Sequence, residues 1–143
     1  MRFPVQGTHP NSTVLSIRPM LELRVTGPAG TFDIFGRVDS GADDTLLPER
    51  LVAILGITDL SGPLVICGVG GAMLVRYGTV DLDIYQGQAS FRWAARVGFS
   101  SHPDALFGLK GFLQFFTATF NGRRHYLDLL PNGTALPPAF PTA

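Results

Sequence analysis

Short runs of β-branched and aromatic residues, each bounded by glycine or proline, make up most of this sequence. Such runs predict strands, because these side chains fit a pleated, half-buried surface while Gly and Pro interrupt regular structure. Since turn residues rather than long helical patterns separate the runs, the chain is limited to a mainly β fold. The predicted strands are Thr13–Ile17, Met20–Val25, Thr31–Val38, Leu64–Ile66, Met73–Tyr85, Ala89–Val97, Phe116–Phe120 and Arg123–Leu130.

Turns and two short helices complete the predicted pattern. Residues 26–30 predict a hairpin turn, and the pair Asn121-Gly122 predicts a tight turn into the last strand. A helix is predicted over Pro48–Leu55, because proline is favoured in a first helical turn and Gly56 is a suitable C-terminal stop. A shorter helix is predicted near Lys110–Phe115.

The length and composition of the chain favour one packed domain. The chain has 143 residues, of which 45% are hydrophobic and 15% charged, a balance typical of a globular core. Its two ends differ from the middle, since both are proline-rich and lack alternation. We therefore expect an N-terminal arm at residues 1–12, a domain at 13–130 and a Pro-rich C-terminal tail at 131–143.

The charge balance and the single cysteine restrict the possible partners and setting. Lysine plus arginine and aspartate plus glutamate number 11 each, so no overall field attracts nucleic acid or a membrane surface. Cys67 cannot form an internal disulfide, and no secretory signal pattern or membrane-spanning apolar stretch is present in the sequence. A cytoplasmic setting is expected.

One tripeptide carries the strongest indication of chemistry, Asp39-Ser40-Gly41 at the end of a predicted apolar strand. The serine hydroxyl is suited to hydrogen-bond neighbouring backbone and hold the turn. The glycine permits backbone angles that other residues resist and allows another chain to approach closely. The alternative interpretation is that Asp39 only caps a turn, as aspartate often does.

Three segments in order resemble the retropepsin family of aspartic proteases. Residues 39–45, Asp-Ser-Gly-Ala-Asp-Asp-Thr, match the family signature of Asp-Thr/Ser-Gly-Ala followed by further acids and a hydroxyl residue. Ile66–Arg76 resembles the glycine-rich flap hairpin, and Ala105–Leu113 resembles the strand and short helix that close the fold. Three ordered motifs at compatible spacing seldom arise by chance. The resemblance, closest to stand-alone bacterial members, covers roughly residues 13 to 130.

The resemblance implies a fold and a set of site residues. The fold would be an acid-protease closed β-barrel with a flap hairpin and one or two short helices. Its catalytic residues would be Asp39, Ser40 and Gly41. The residues implied to hold the substrate backbone are Gly41, Asp43, Gly68 and Val69, with Val69 at the flap tip. Candidates for the apolar subsites are Val38, Ala42, Val69, Leu74 and Phe107.

Two features of the motifs leave alternatives open. Many relatives carry arginine or another residue and then an acid or amide after the glycine of the third segment, where this chain has Leu109 and Lys110. The resemblance therefore does not imply an internal bridge from an arginine to Asp43 in this chain. Asp43 and Asp44 have the alternative interpretation of a solvated pair at a loop end.

A single Asp-Ser-Gly implies that the active form has two chains. Aspartic proteolysis uses two carboxylates that share a proton, and this sequence supplies one such motif. We expect an aspartic endopeptidase active as a homodimer, with Asp39 of each chain at the two-fold axis, a polypeptide substrate and no cofactor or metal. The alternative is a catalytically silent, protease-like dimerisation or peptide-binding module.

Overall fold

The computed structural model describes residues 1–8, 15–68 and 71–141. These residues form twelve strands, one short α-helix and one 3₁₀ turn. The helix α1 covers Arg50–Leu55, and the 3₁₀ turn covers Leu113–Phe115. The strands are β1 (Arg2–Pro4), β2 (Gln6–Thr8), β3 (Leu15–Ile17), β4 (Met20–Gly27), β5 (Gly30–Val38), β6 (Leu46–Pro48), β7 (Ser61–Gly68), β8 (Gly71–Gln86), β9 (Ala89–Ser100), β10 (Ala105–Phe107), β11 (Phe116–Asn121) and β12 (Tyr126–Pro131).

Six strands close into a barrel. Their order is β4-β5-β10-β6-β9-β8, and β8 pairs back onto β4 through residues 81–83 and 24–26. Strand β7 lies outside this ring and pairs with the first part of β8 as a hairpin. The mainly β, closed-barrel fold predicted from the sequence is confirmed.

The core forms because alternate residues of each strand point inward. In β4 the side chains of Leu21, Leu23 and Val25 are buried, whereas those between them are exposed. Trp93 of β9 is fully buried in the core and packs edge-on against Phe116, with 5.3 Å between the ring centroids. The indole N–H of Trp93 donates to the carbonyl of Gly111 at 2.8 Å, so this buried polar group is satisfied.

Helix α1 is present but begins two residues later than predicted. Pro48 is the last residue of β6 and pairs in parallel with Ser100 of β9, so tertiary pairing overrides its preference for a helix start. The helix buries Leu51 and Leu55, one turn apart. Gly56 ends it with a φ of 67°, which confirms the predicted stop.

The second predicted helix is reduced to the 3₁₀ turn. The backbone before this turn is hydrogen-bonded to another segment, because the N–H of Lys110 donates to the carbonyl of Asp43 at 2.8 Å. Gly111 then adopts a φ of 90°, which interrupts a right-handed helix. The prediction of helix from Lys110 was therefore too long.

The predicted turns have different outcomes. The turn between β4 and β5 is confirmed, since Gly27 pairs with Gly30. The tight turn at Asn121-Gly122 is wrong, because Asn121 pairs with Tyr126 and residues 122–125 form a longer loop. The side-chain oxygen of Asn121 accepts a hydrogen bond from the Arg124 N–H at 2.8 Å, which stabilises this longer loop. Of the predicted strand Thr13–Ile17, the first two residues lie outside the described residues.

Both ends of the chain contact the rest of the protein where they are described. Strand β1 pairs with β12 in a three-stranded sheet with β11. Near the other end, the backbone N–H groups of Ala139 and Phe140 donate to the carboxylate of Asp81. The boundaries of the arm and tail stay predictions. Within the described ranges, no helix has the length and apolar character needed to cross a membrane.

Candidate active site

Asp39 lies immediately after β5 and faces a cleft. Successive side chains of a strand point to opposite faces, so Val38 is directed into the core and is 3% exposed. Arg37 and Asp39 share the other face, and the side chain of Asp39 is 33% exposed. The Asp39 N–H donates to the carbonyl of Phe107 at 3.0 Å, which ties the end of β5 to the neighbouring strand β10.

The two oxygens of the Asp39 carboxylate have different partners. Oδ1 accepts a hydrogen bond from the N–H of Gly41 at 2.9 Å. Oδ2 lies 3.6 Å from Nη2 of Arg37. Ser40 is exposed, and its hydroxyl makes no hydrogen bond to the described part of the chain. The turn is therefore held by the Gly41 N–H rather than by the serine hydroxyl that the sequence suggested.

The loop after Asp39 is interlocked with the segment after β10. The N–H of Leu109 donates to the carbonyl of Ala42 at 2.9 Å, and the N–H of Thr45 donates to the carbonyl of Lys110 at 3.0 Å. The hydroxyl of Thr45, which is fully buried, accepts from the N–H of Gly108 at 3.2 Å. These bonds fix the backbone on which Asp39 is placed, and they hold the third sequence segment beside the Asp-Ser-Gly turn.

Replacing Gly108 by alanine is expected to destabilise this interlock. A Cβ at Gly108 would lie 2.2 Å from the carbonyl oxygen of Asp44 and 2.7 Å from that of Ala42, and both atoms belong to the hydrogen-bonded backbone. The free energy of unfolding should fall by about 3 kcal/mol in urea titration, at the upper end of overpacking costs.

Gly122→Ala is the matched control for this substitution. No described atom lies within 4 Å of a Cβ at Gly122, so its effect should stay within about 0.5 kcal/mol. Equal unfolding free energies for the Gly108 and Gly122 variants would show that the close packing of Gly108 is not required.

The two acids that follow Ala42 have different environments. The Asp44 carboxylate accepts a hydrogen bond from the hydroxyl of Tyr77 at 2.8 Å. Burial, and then this bond to Asp44, raise the pKa of Tyr77 to about 12. Asp43 is exposed, and no ion pair involves it within residues 1–8, 15–68 and 71–141. The backbone of Lys110 forms two hydrogen bonds with this loop, one to Asp43 and one from Thr45.

A cleft of about 590 Å³ separates the Asp39 loop from the β7–β8 hairpin. It brings together four of the predicted site residues: Asp39, Gly41 and Asp43 on one side and Gly68 on the other. Gly68 pairs with Gly71 in this hairpin. Val69, predicted at the flap tip, lies outside the described residues. The other lining residues are Arg37, Ala42, Asp44, Leu46, Ile66, Cys67, Met73, His102 and Leu106.

The predicted apolar subsites are only partly placed in the cleft. Ala42 lines it, whereas Val38 and Phe107 are buried in the core, because inward alternation takes both away from the cleft. Leu74 lines a separate cavity of about 610 Å³ between α1 and the base of the hairpin. The sequence interpretation missed Arg37, although the two-residue period that relates it to Asp39 could have identified it.

Comparisons with known proteins find matches among solved structures. No protein-family model matches the chain. No curated protein matches it either. Among solved structures, the chain is similar to the EIAV protease complexed with the inhibitor HBY-793, with a TM-score of 0.46 and 18% sequence identity. The match covers 71% of this chain and 88% of that chain.

Proposed function

We propose that the protein is an aspartic endopeptidase that acts as a homodimer. The observation that carries this proposal is the position of Asp39. Its carboxylate is held by the Gly41 N–H at 2.9 Å and faces a cleft of about 590 Å³ across from a glycine-rich hairpin. An accessible carboxylate on a rigid loop, opposite a hairpin able to cover a bound chain, suits hydrolysis of an extended peptide.

The second carboxylate is proposed to come from another copy of the chain. Two acids about 3 Å apart cannot both ionise, so they share the single proton that the reaction uses. Within the cleft, Asp44 already accepts a hydrogen bond from Tyr77, and Asp43 lies four residues along the loop from Asp39. A two-fold axis beside Asp39 would instead bring two identical acids together. Ser40, next to Asp39, is exposed, so this face is accessible to such a contact.

The proposed reaction is a direct attack by water. The ionised Asp39, from one chain, takes a proton from the water as the water oxygen bonds to the scissile carbonyl carbon. The protonated Asp39, from the other chain, donates its proton to the developing oxyanion, which gives a neutral tetrahedral intermediate. When the C–N bond breaks, the carboxyl that took the water proton gives it to the leaving amine. The other carboxylate takes a hydroxyl proton from the intermediate, which restores the singly protonated pair. No covalent bond to the enzyme forms at any step.

The substrate is proposed to bind as a strand between the loop and the hairpin. Gly41 and Asp43 would contact its backbone from one side, and Gly68 and Val69 from the other. Gly68 is exposed, and no described atom lies within 4 Å of the position that a Cβ would occupy. Among the described strands, β7 pairs on one side only, with β8, so its outer backbone groups are accessible to an added strand, the mode by which many proteins bind extended peptides.

Activity per chain is expected to rise with the dimer fraction. The test is cleavage of an unfolded protein substrate between acid and neutral pH, with mass measured by light scattering over the same protein concentrations. The rate should show a bell-shaped, acid-shifted pH dependence, because the pair must hold one proton. Constant activity per chain in a monomer would contradict the dimer. Peptide binding by a dimer without cleavage at any pH would favour the silent, peptide-binding alternative.

A further inference from the structure

Arg37 is a charged residue of the cleft to which the proposed reaction gives no role. Its side chain is 41% exposed and lies on the same face of β5 as Asp39. The nearest approach to the Asp39 carboxylate is 3.6 Å, from Nη2 to Oδ2. Nε is buried and has no hydrogen-bond partner among the described residues. Among the described residues, most donors of the guanidinium therefore have no hydrogen-bond partner.

An unused guanidinium at this position is suited to bind a carboxylate. Arginine presents donors in a planar fork that matches the two oxygens of a carboxylate. A separation of 3.6 Å exceeds a normal hydrogen-bond length, so the contact with Asp39 is weak enough for a better-placed acid to replace it. Because Arg37 is two residues from Asp39 on the same strand face, such an acid would lie next to the reacting carbonyl.

The other charges of the cleft do not replace this role. Asp44 is held by Tyr77 at 2.8 Å. His102 also lines the cleft, but its Nδ1 accepts a hydrogen bond from the N–H of Asp104 at 3.1 Å. Arg37 is thus the guanidinium that contacts Asp39 in the described part of the cleft.

Resting on the proposed function, we infer that Arg37 selects peptide substrates with an acidic side chain next to the cleaved bond. The substrate carboxylate forms charge-assisted hydrogen bonds with the guanidinium. The same exchange withdraws Arg37 from Asp39 and leaves Oδ2 of Asp39 available to the attacking water. Arg37 is a specificity-determining residue in this scheme and transfers no proton.

Matched peptides test this inference. Peptides that are identical except for glutamate or glutamine beside the cleaved bond, on either side, are compared by kcat/KM. The wild-type ratio of glutamate to glutamine should be about ten to a hundred, as expected for hydrogen bonds to charged groups. Arg37→Gln should reduce this ratio to about one, and Arg37→Glu should favour a lysine peptide over the glutamate peptide. The control Arg50→Gln, an exposed arginine on α1, should keep the wild-type ratio.

Each other outcome overturns the inference. A wild-type glutamate-to-glutamine ratio near one would show that Arg37 does not select for substrate charge. An equal loss of kcat/KM on both peptides in Arg37→Gln would show the same. In either case, cleavage of the peptides would leave the proposed function intact. Loss of the dimer in Arg37→Gln, seen by light scattering, would place Arg37 in the contact between chains instead. Absence of cleavage of every peptide by the wild-type dimer would remove the proposed function and this inference together.

Discussion

Asp39→Asn is expected to reduce peptide cleavage by about a thousandfold or more, because an amide neither accepts the proton of the attacking water nor shares a proton with its partner. Asparagine has nearly the same shape, and its side-chain oxygen is able to accept the hydrogen bond that Gly41 donates to Asp39 at 2.9 Å. The fold and the dimer should therefore survive the substitution. Cleavage of an unfolded protein substrate measures the loss, and light scattering checks the dimer.

Asp59→Asn is the matched control for this substitution. Asp59 is exposed and does not line the cleft, so its variant should retain wild-type activity. Activity of Asp39→Asn close to that of Asp59→Asn would remove Asp39 from the mechanism.

Asp81→Ala is expected to cause a large loss of stability. The carboxylate is fully buried and accepts from Ala139 N–H at 2.7 Å, from Phe140 N–H at 2.8 Å and from Arg92 Nη2 at 2.7 Å. Arg92 is mostly buried, and alanine at position 81 would leave it without its ion-pair partner. Removing one member of a buried ion pair costs about 3–5 kcal/mol. Urea titration measures the unfolding free energy. The segment after residue 131 should also become more sensitive to limited proteolysis.

The surface pair of Arg24 and Asp33 provides the control for Asp81. This pair has a similar separation of 2.8 Å, but both side chains are more than one third exposed. Asp33→Ala should therefore cost less than about 1 kcal/mol. Equal losses for Asp81→Ala and Asp33→Ala would show that the buried contact with the C-terminal segment contributes no more than a surface pair.

Local patterns predicted the longer strands, because β-branched and aromatic residues form long runs there between turn residues. The long strands β5, β8 and β9 each contain a predicted run. The three-residue strands β1 and β6 were not predicted, since partners far along the chain select them: β1 pairs with β12, and Pro48 pairs with Ser100. No local period identifies such strands.

The sequence motifs predicted which segments meet at the cleft but not all of their contacts. Asp39, Gly41, Asp43 and Gly68 line the same cleft, as the resemblance implied, and their roles there stay predictions. The bond from Tyr77 to Asp44 joins residues 33 positions apart, so no local pattern identifies it. The hydrogen bonds from Ala139 and Phe140 to Asp81 join residues 58 and 59 positions apart, so local patterning gave no indication of them.

Mixing wild-type and Asp39→Asn chains tests most directly whether two copies of Asp39 make one active site. In an equal mixture with free exchange, about one quarter of the dimers carry two wild-type chains, if chains pair at random through a symmetric interface. Cleavage per wild-type chain should then fall to about half of its value in the pure wild-type dimer. Cleavage per wild-type chain that stays unchanged in the mixture would contradict a site shared between two chains.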